Sequence, residues 1–303
     1  MTGNTLGLDK ILNALFTPYK ERVPDVNKIT QAMVAKGLIN DDSEILNDHI
    51  AFRTLGVPHL GIASFEKIFL HYGYKKKSSY VFDKKKLDAF WYEPPYSHYP
   101  RIFLSELRVS DLSKQAQNII SKYTSSIITD PVDAIDLNDY EKVGSFFYKP
   151  LWKLPSKEDY LLLLKESEYA AWVIYNRYYL NHYTISVHEL PGQYSKLENF
   201  NTFLESIGIT LNTSGGIVKT SKDGLLKQSS SVAKIIKAKF ANDEEHMISG
   251  SYVEFAERLV LPEFKSIPKK KLTKEHRRDG FESANADKIF ESTYLEQTTK
   301  NIN

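Results

Sequence analysis

Apolar and polar positions alternate along this 303-residue chain in two similar patterns with a helical stretch between them. At the N-terminus, Leu8, Ile11, Leu12 and Leu15 have the spacing of one helix face, and "NKITQAMVAKGL" repeats that spacing up to a capping Gly37. The period then changes to two. "NDHIAFRTLG" (47–56) sends His49, Ala51 and Arg53 to one face of a strand and Ile50, Phe52 and Thr54 to the other. "ASFEKIFLHYGY" reads as a short helix with Ser64 as N-cap and an end near Gly73. Three strand-like runs follow, "SSYVFD", "LDAFWYEP" and "RIFLSELRV", with lysine- and proline-rich breaks between them.

The middle of the chain is helical in pattern. "DLSKQAQNIISKYTS" and "SKEDYLLLLKESEYAAWVIYNRYYL" are amphipathic, and Ser156 with Asp159 resembles a capping box. The first order then returns. "NHYTISVHEL" places His182, Thr184, Ser186 and His188 on one strand face, and "KLENFNTFLESIG" gives a helix ending at Gly208. "ITLNTS", "KQSSSVAKIIKAKF" and "GSYVEFAERLVL" read as three further strands. Strand, helix and three strands, twice over, predict an α+β fold. Its two βαβββ modules form one curved, barrel-like mixed sheet, with extra helices at the N-terminus and between the modules. The expected organisation is a single metalloenzyme domain over 1–303. It comprises a helical N-terminus (1–45), a first module (46–110), a helical insertion (111–180), a second module (181–262) and a C-terminal segment (263–303). The polar end of that segment, "QTTKNIN", is expected to fray.

Charge narrows the function. Forty basic residues against 38 acidic ones give no reason to expect a nucleic-acid or membrane partner. The KKK runs at 75–77, 84–86 and 269–271 read as solvated turns. With no cysteine, any metal site must be made from His, Asp and Glu. Neither a secretion signal nor a membrane-length apolar run stands out, so a cytoplasmic location is expected. Nineteen Tyr and 16 Phe supply bulky walls for a pocket.

In a curved sheet one face of each strand looks into the cavity, and three strands carry chemistry there: His49, His182 and Glu254. Two imidazoles and one carboxylate with open positions form the facial triad of non-heme Fe(II) oxygenases, leaving room for a chelating substrate and O₂. Rivals exist at this stage. His188 shares the face of His182, and Glu106 lies on the last strand of the first module. Glu257 falls on the opposite face, where Arg258 or solvent would pair it. Arg53, two residues beyond His49 on the same face, is either a clamp for a substrate carboxylate or half of a structural ion pair.

Taken together, "DHIAFRT", "NHYT", "YVEFAER" and "DGFESANADKIFEST" resemble, in the same order, the motifs of the 2-oxoadipate dioxygenase/decarboxylase family. That resemblance implies a vicinal oxygen chelate-like fold and an Fe(II) cofactor held by His49, His182 and Glu254. It also implies that Arg53 holds the substrate carboxylate and that Ala284 and Asn285 touch substrate. The implied reaction takes a 2-oxo dicarboxylic acid, 2-oxoadipate, and O₂ to 2-hydroxyglutarate and CO₂. Two other readings of the same residues are a non-redox, glyoxalase-type isomerase or lyase using Zn²⁺ or Ni²⁺, and a small-molecule binding protein without turnover.

Overall fold

A single curved sheet of eight strands organises the chain in a computed structural model that describes residues 3–299. Lys300–Asn303, the end of the polar tail, lie outside the described residues. In chain order the strands are β1 (Asn47–Leu55), β2 (Lys75–Phe82), β3 (Leu87–Glu93), β4 (Arg101–Leu107) and β5 (His182–Ser186), followed by β6 (Lys219–Thr220), β7 (Leu226–Ser230), β8 (Ile235–Lys239), β9 (Glu245–Ser249) and β10 (Tyr252–Arg258). Across the sheet the order is β2-β3-β4-β1-β5-β10-β7-β6, and β8 and β9 form a separate ribbon. The pairs β1–β4 and β5–β10 are parallel, and every other pair is antiparallel. The order is the same read inward from either edge, with β1 and β5 meeting at the centre. Each half is one βαβββ module, as the repeated pattern predicts.

The convex face is covered by the helix of each module. Ile62–His71 turns Phe65, Ile68 and Phe69 inward, and the Phe65 ring lies 4.8 Å from that of Phe52 on β1. In the second module Leu197–Ser206 places Phe200 5.5 Å from Phe255 on β10. Ile50, Phe52, Val253 and Phe255 are thus the apolar halves of their alternating strands, fully buried. The opposite, concave face carries the polar halves. It is covered by the C-terminal segment, where Phe281, Ile289 and Phe290 are buried around the helix Ser283–Phe290. Among the described residues no helix is long and apolar enough to cross a membrane.

Several local expectations are corrected. "ITLNTS" makes only one bridge, Leu211 to Ser231, because Asn212 turns the chain ahead of two glycines with positive φ, Gly215 and Gly216. The strand after the second helix is instead the two-residue β6. "KQSSSVAKIIKAKF" is not one strand: β7 ends at Ser230, and Ile235–Lys239 leaves the sheet to pair with β9, which the pattern did not predict. The helix Tyr140–Phe146 was likewise not predicted. Gly61, not Ser64, precedes the helix Ile62–His71, and Ser64 bonds Asp130 from inside it. Ser156 does cap its helix, but the Asp159 carboxylate turns to Lys122 and Tyr123 rather than completing a box. The lysines at 75–77 are exposed as expected, yet they open edge strand β2, where charge discourages strand addition.

β1 ends at a tight contact. The Gly56 amide donates to the Leu107 carbonyl at 2.8 Å, and a Cβ on Gly56 would lie 2.7 Å from that oxygen. Gly56→Ala is therefore expected to destabilise the fold by about 1–3 kcal/mol through overpacking. Thermal unfolding should show a melting temperature several degrees lower. An unchanged value would mean that β1 and β4 are free to part at this end.

Candidate metal centre

Strand register assembles the site. Ala51 of β1 pairs with His182 of β5, and Thr184 of β5 pairs with Glu254 of β10. Directly paired residues point to the same face, so His49, His182 and Glu254 all project from the concave side. One Glu254 oxygen lies 3.0 Å from His182 Nε2 and 3.3 Å from His49 Nε2, and all three side chains are buried. A ligand atom from each lies within 4.8 Å of the others. The rivals are elsewhere. The His188 ring, beyond the end of β5, lies against the Ala256 carbonyl. Glu106 accepts from the Ile62 amide. Glu257 is on the opposite face, as predicted, but its partners are Lys196 and the Leu197 amide rather than Arg258.

Behind each imidazole stands the residue that precedes it in sequence. His49 Nδ1 lies 2.8 Å from the Asp48 carboxylate, which can only accept, so Nδ1 carries the proton and Nε2 offers its lone pair to the centre. His182 Nδ1 lies 3.0 Å from Asn181 Oδ1. Arg258 in turn grips Asp48 through Nε at 2.6 Å and Nη2 at 2.8 Å, and Arg101 approaches at 3.5 Å. On the other flank, Gln228 donates to Glu254 at 2.6 Å and accepts from Asn285 at 3.0 Å. Of these supporting residues only Asn285 was singled out in the sequence, as a substrate contact; Asp48, Asn181, Gln228 and the Asp48-gripping role of Arg258 and Arg101 were missed. The available signal was "DH" and "NH" at corresponding places in the two modules.

The same correspondence explains why there are three donors. If His49 matches His182, then Ala51 matches Thr184, and their parallel-strand partners Phe103 and Glu254 match as well. The fourth symmetric position therefore holds a phenyl ring. With Phe281 and Phe290, Phe103 lines a cavity of about 20 Å³ at the triad, room for a single water-sized sphere.

Electrostatics distinguish the two histidines. Burial alone would raise the Glu254 carboxyl, but His49 and His182 outweigh it and hold the group below the ordinary carboxylate range. Burial pulls both imidazoles down. For His49 the carboxylates of Glu254 and Asp48 reverse that and raise it, whereas His182, backed by a neutral amide and facing His49, stays lowered. Burial likewise opposes ionised Asp48, yet Arg258 and Arg101 keep it well below the usual range. Two imidazole lone pairs and a carboxylate oxygen facing one point repel unless a cation sits among them. The donor set therefore fits a divalent metal.

Arg53 lies on the same face, fully buried, and no ion pair joins it to a carboxylate among the described residues. It donates to Thr293 Oγ1 at 3.0 Å and to the Phe290 carbonyl at 3.1 Å, and its Cζ lies 5.1 Å from the ring centroids of both Tyr169 and Trp172. Ala284 is exposed on the outer side of its helix. The alanine that lines the cavity is Ala286, and buried Asn285 reaches the site through Gln228.

The family described as 2-oxoadipate dioxygenase/decarboxylase matches residues 11–267. The chain is 41% identical to the chloroplastic 2-oxoadipate dioxygenase/decarboxylase of Arabidopsis thaliana, covering 96% of this chain and 78% of that protein. The crystal structure of hydroxyglutarate synthase from Oryza sativa in complex with 2-oxoadipate superimposes with a TM-score of 0.89 at 40% identity, covering 99% of this chain and 96% of that one. A glyoxalase-superfamily protein from Ralstonia eutropha shares the fold, with a TM-score of 0.71 at 20% identity over 90% of this chain and 85% of that one. The chain belongs to the 2-oxoadipate dioxygenase/decarboxylase family.

Proposed function

We propose that this chain is an Fe(II)-dependent dioxygenase that converts 2-oxoadipate and O₂ to 2-hydroxyglutarate and CO₂. The observation that carries this reading is the convergence of two imidazoles and one carboxylate on the concave face, in a member of this family. Relatives named for the activity, and a rice homologue solved with 2-oxoadipate, support the choice of substrate. His49, His182 and Glu254 would hold the metal. Because the first comes from one module and the other two from the second, residues 1–303 act as one catalytic unit in this reading. When bound, Fe(II) supplies Lewis acidity toward a chelating 2-oxo acid and the electrons that activate O₂.

The chain's own residues do the rest. Asp48 fixes the His49 tautomer and adds negative charge behind it, which strengthens Nε2 as a donor. Arg53 receives a substrate carboxylate in the two-pronged geometry of guanidinium pairs. In the present arrangement the Thr293 hydroxyl and the Phe290 carbonyl take Nη1 and Nη2, and Nε has no partner among the described residues. Phe103, Phe281 and Phe290 keep bulk water from the reacting centre.

Iron-loaded protein should consume O₂ with 2-oxoadipate, releasing one CO₂ per 2-hydroxyglutarate. His49→Ala, His182→Ala and Glu254→Ala should each lose bound iron. An oxygen electrode and metal analysis check both statements, and normal iron content in all three variants would refute the ligand assignment. Asp48→Asn keeps an acceptor for His49 but removes the charge. It should weaken iron binding about 10- to 100-fold, the usual cost of disturbing an outer-shell partner, as read by competition with a chelator. Unaltered affinity would confine Asp48 to a structural role.

A further inference from the structure

Among the described residues, three buried donors on the concave face lack a hydrogen-bond partner: the Tyr252 hydroxyl, Arg53 Nε and Trp91 Nε1, the last outside the lining of the triad cavity. Tyr252 is fully buried, with its ring 4.7 Å from that of His182 and tilted 31° to it, and it lines the cavity with the triad. Neither its hydroxyl nor Arg53 Nε makes a well-formed hydrogen bond, although the phenol stands within the reach of the guanidinium and of the Ser292 hydroxyl. Buried polar groups are ordinarily paired, so two such groups beside one another call for a reason. Register puts them at the same end of the sheet. β1 and β5 run antiparallel, so the C-terminal half of β1, which holds Arg53, flanks the first residues of β5. Tyr252 pairs with His182 at that start.

We propose that Tyr252 is a substrate-binding residue whose phenol donates a hydrogen bond to the same carboxylate that Arg53 grips. The reasoning rests on the function proposed above. A guanidinium N–H can only donate, and a phenol whose oxygen faces that cation keeps its O–H to donate, so a partner shared by the two accepts from both. A carboxylate has two acceptor oxygens and no donor when ionised. An amine or an alkyl group at this position would leave both donors unpaired. Tyr252 thus selects an acid at this end of the site, between the metal ligand His182 on which it packs and the cation beyond.

Anaerobic titration calorimetry of iron-loaded protein with 2-oxoadipate tests this. Tyr252→Phe keeps the ring on His182 and removes only the hydroxyl. It should retain wild-type iron content and melting temperature while binding 2-oxoadipate about tenfold or more weakly, as expected for a lost hydrogen bond to a charged group. Arg53→Lys keeps the charge but removes Nε. Because the two donors share one partner, the double variant should lose less than the product of the two single effects. Wild-type affinity in Tyr252→Phe overturns the assignment and leaves the enzymatic reading intact. A weakening matched by lost iron also overturns it. Failure of the wild-type protein to bind 2-oxoadipate overturns both readings, and this is seen before any variant is compared.

Discussion

The central β1–β5 pairing is the contact on which everything else depends. Among the described residues it is the only strand pair that joins the two modules in the eight-stranded sheet, and its register sets Ala51 opposite His182. Side chains alternate with a period of two, so a slip of one residue would turn His49 or His182 to the convex face. That slip would also bring Phe52 or Ile185, both buried against the helices, onto the polar side. Hydrophobic burial on the convex face therefore fixes the geometry of the polar face. The helices Ile62–His71 and Leu197–Ser206 hold His49, His182 and Glu254 in place from behind.

Burying this much charge has to be balanced locally. Asp48, Glu254, Arg53, Arg101 and Arg258 are all almost inaccessible. Removing one partner of a buried ion pair typically costs about 3–5 kcal/mol, far more than a surface pair contributes. The network Arg258–Asp48–His49 therefore orders the His49 imidazole. The counterpart Asn181–His182 has the same shape with no charge. One imidazole is thus backed by an anion and the other by an amide, an asymmetry placed on a nearly symmetric frame. Phe103 in place of a second glutamate completes it by leaving one side of the site apolar.

Much of this was legible in the chain. Alternation placed His49, Arg53, His182 and Glu254 on cavity-facing strand faces, because period-two patterns report facing directly. The repeated element order gave two modules. Short segments were less legible: β6 spans two residues, and "ITLNTS" has a strand-like composition that the Asn212 turn overrides. Contacts between distant residues could not be read at all. Nothing local in "RRDGFESANADKIF" says that it lies over the concave face, and alternation alone cannot distinguish Ala284, which faces outward, from Ala286, which faces the cavity. Arg53 showed the limit clearly. Its position was predictable, but the absence of an acidic partner among the described residues, which favours a substrate role over a structural pair, became visible only in three dimensions.

The central claim is that three side chains from two modules bind one iron. The most direct test is a crystal of anaerobically iron-loaded protein measured on both sides of the iron absorption edge. The account predicts a single anomalous peak bonded to His49 Nε2, His182 Nε2 and Glu254. A peak held by other residues, or none at full iron loading, would contradict it.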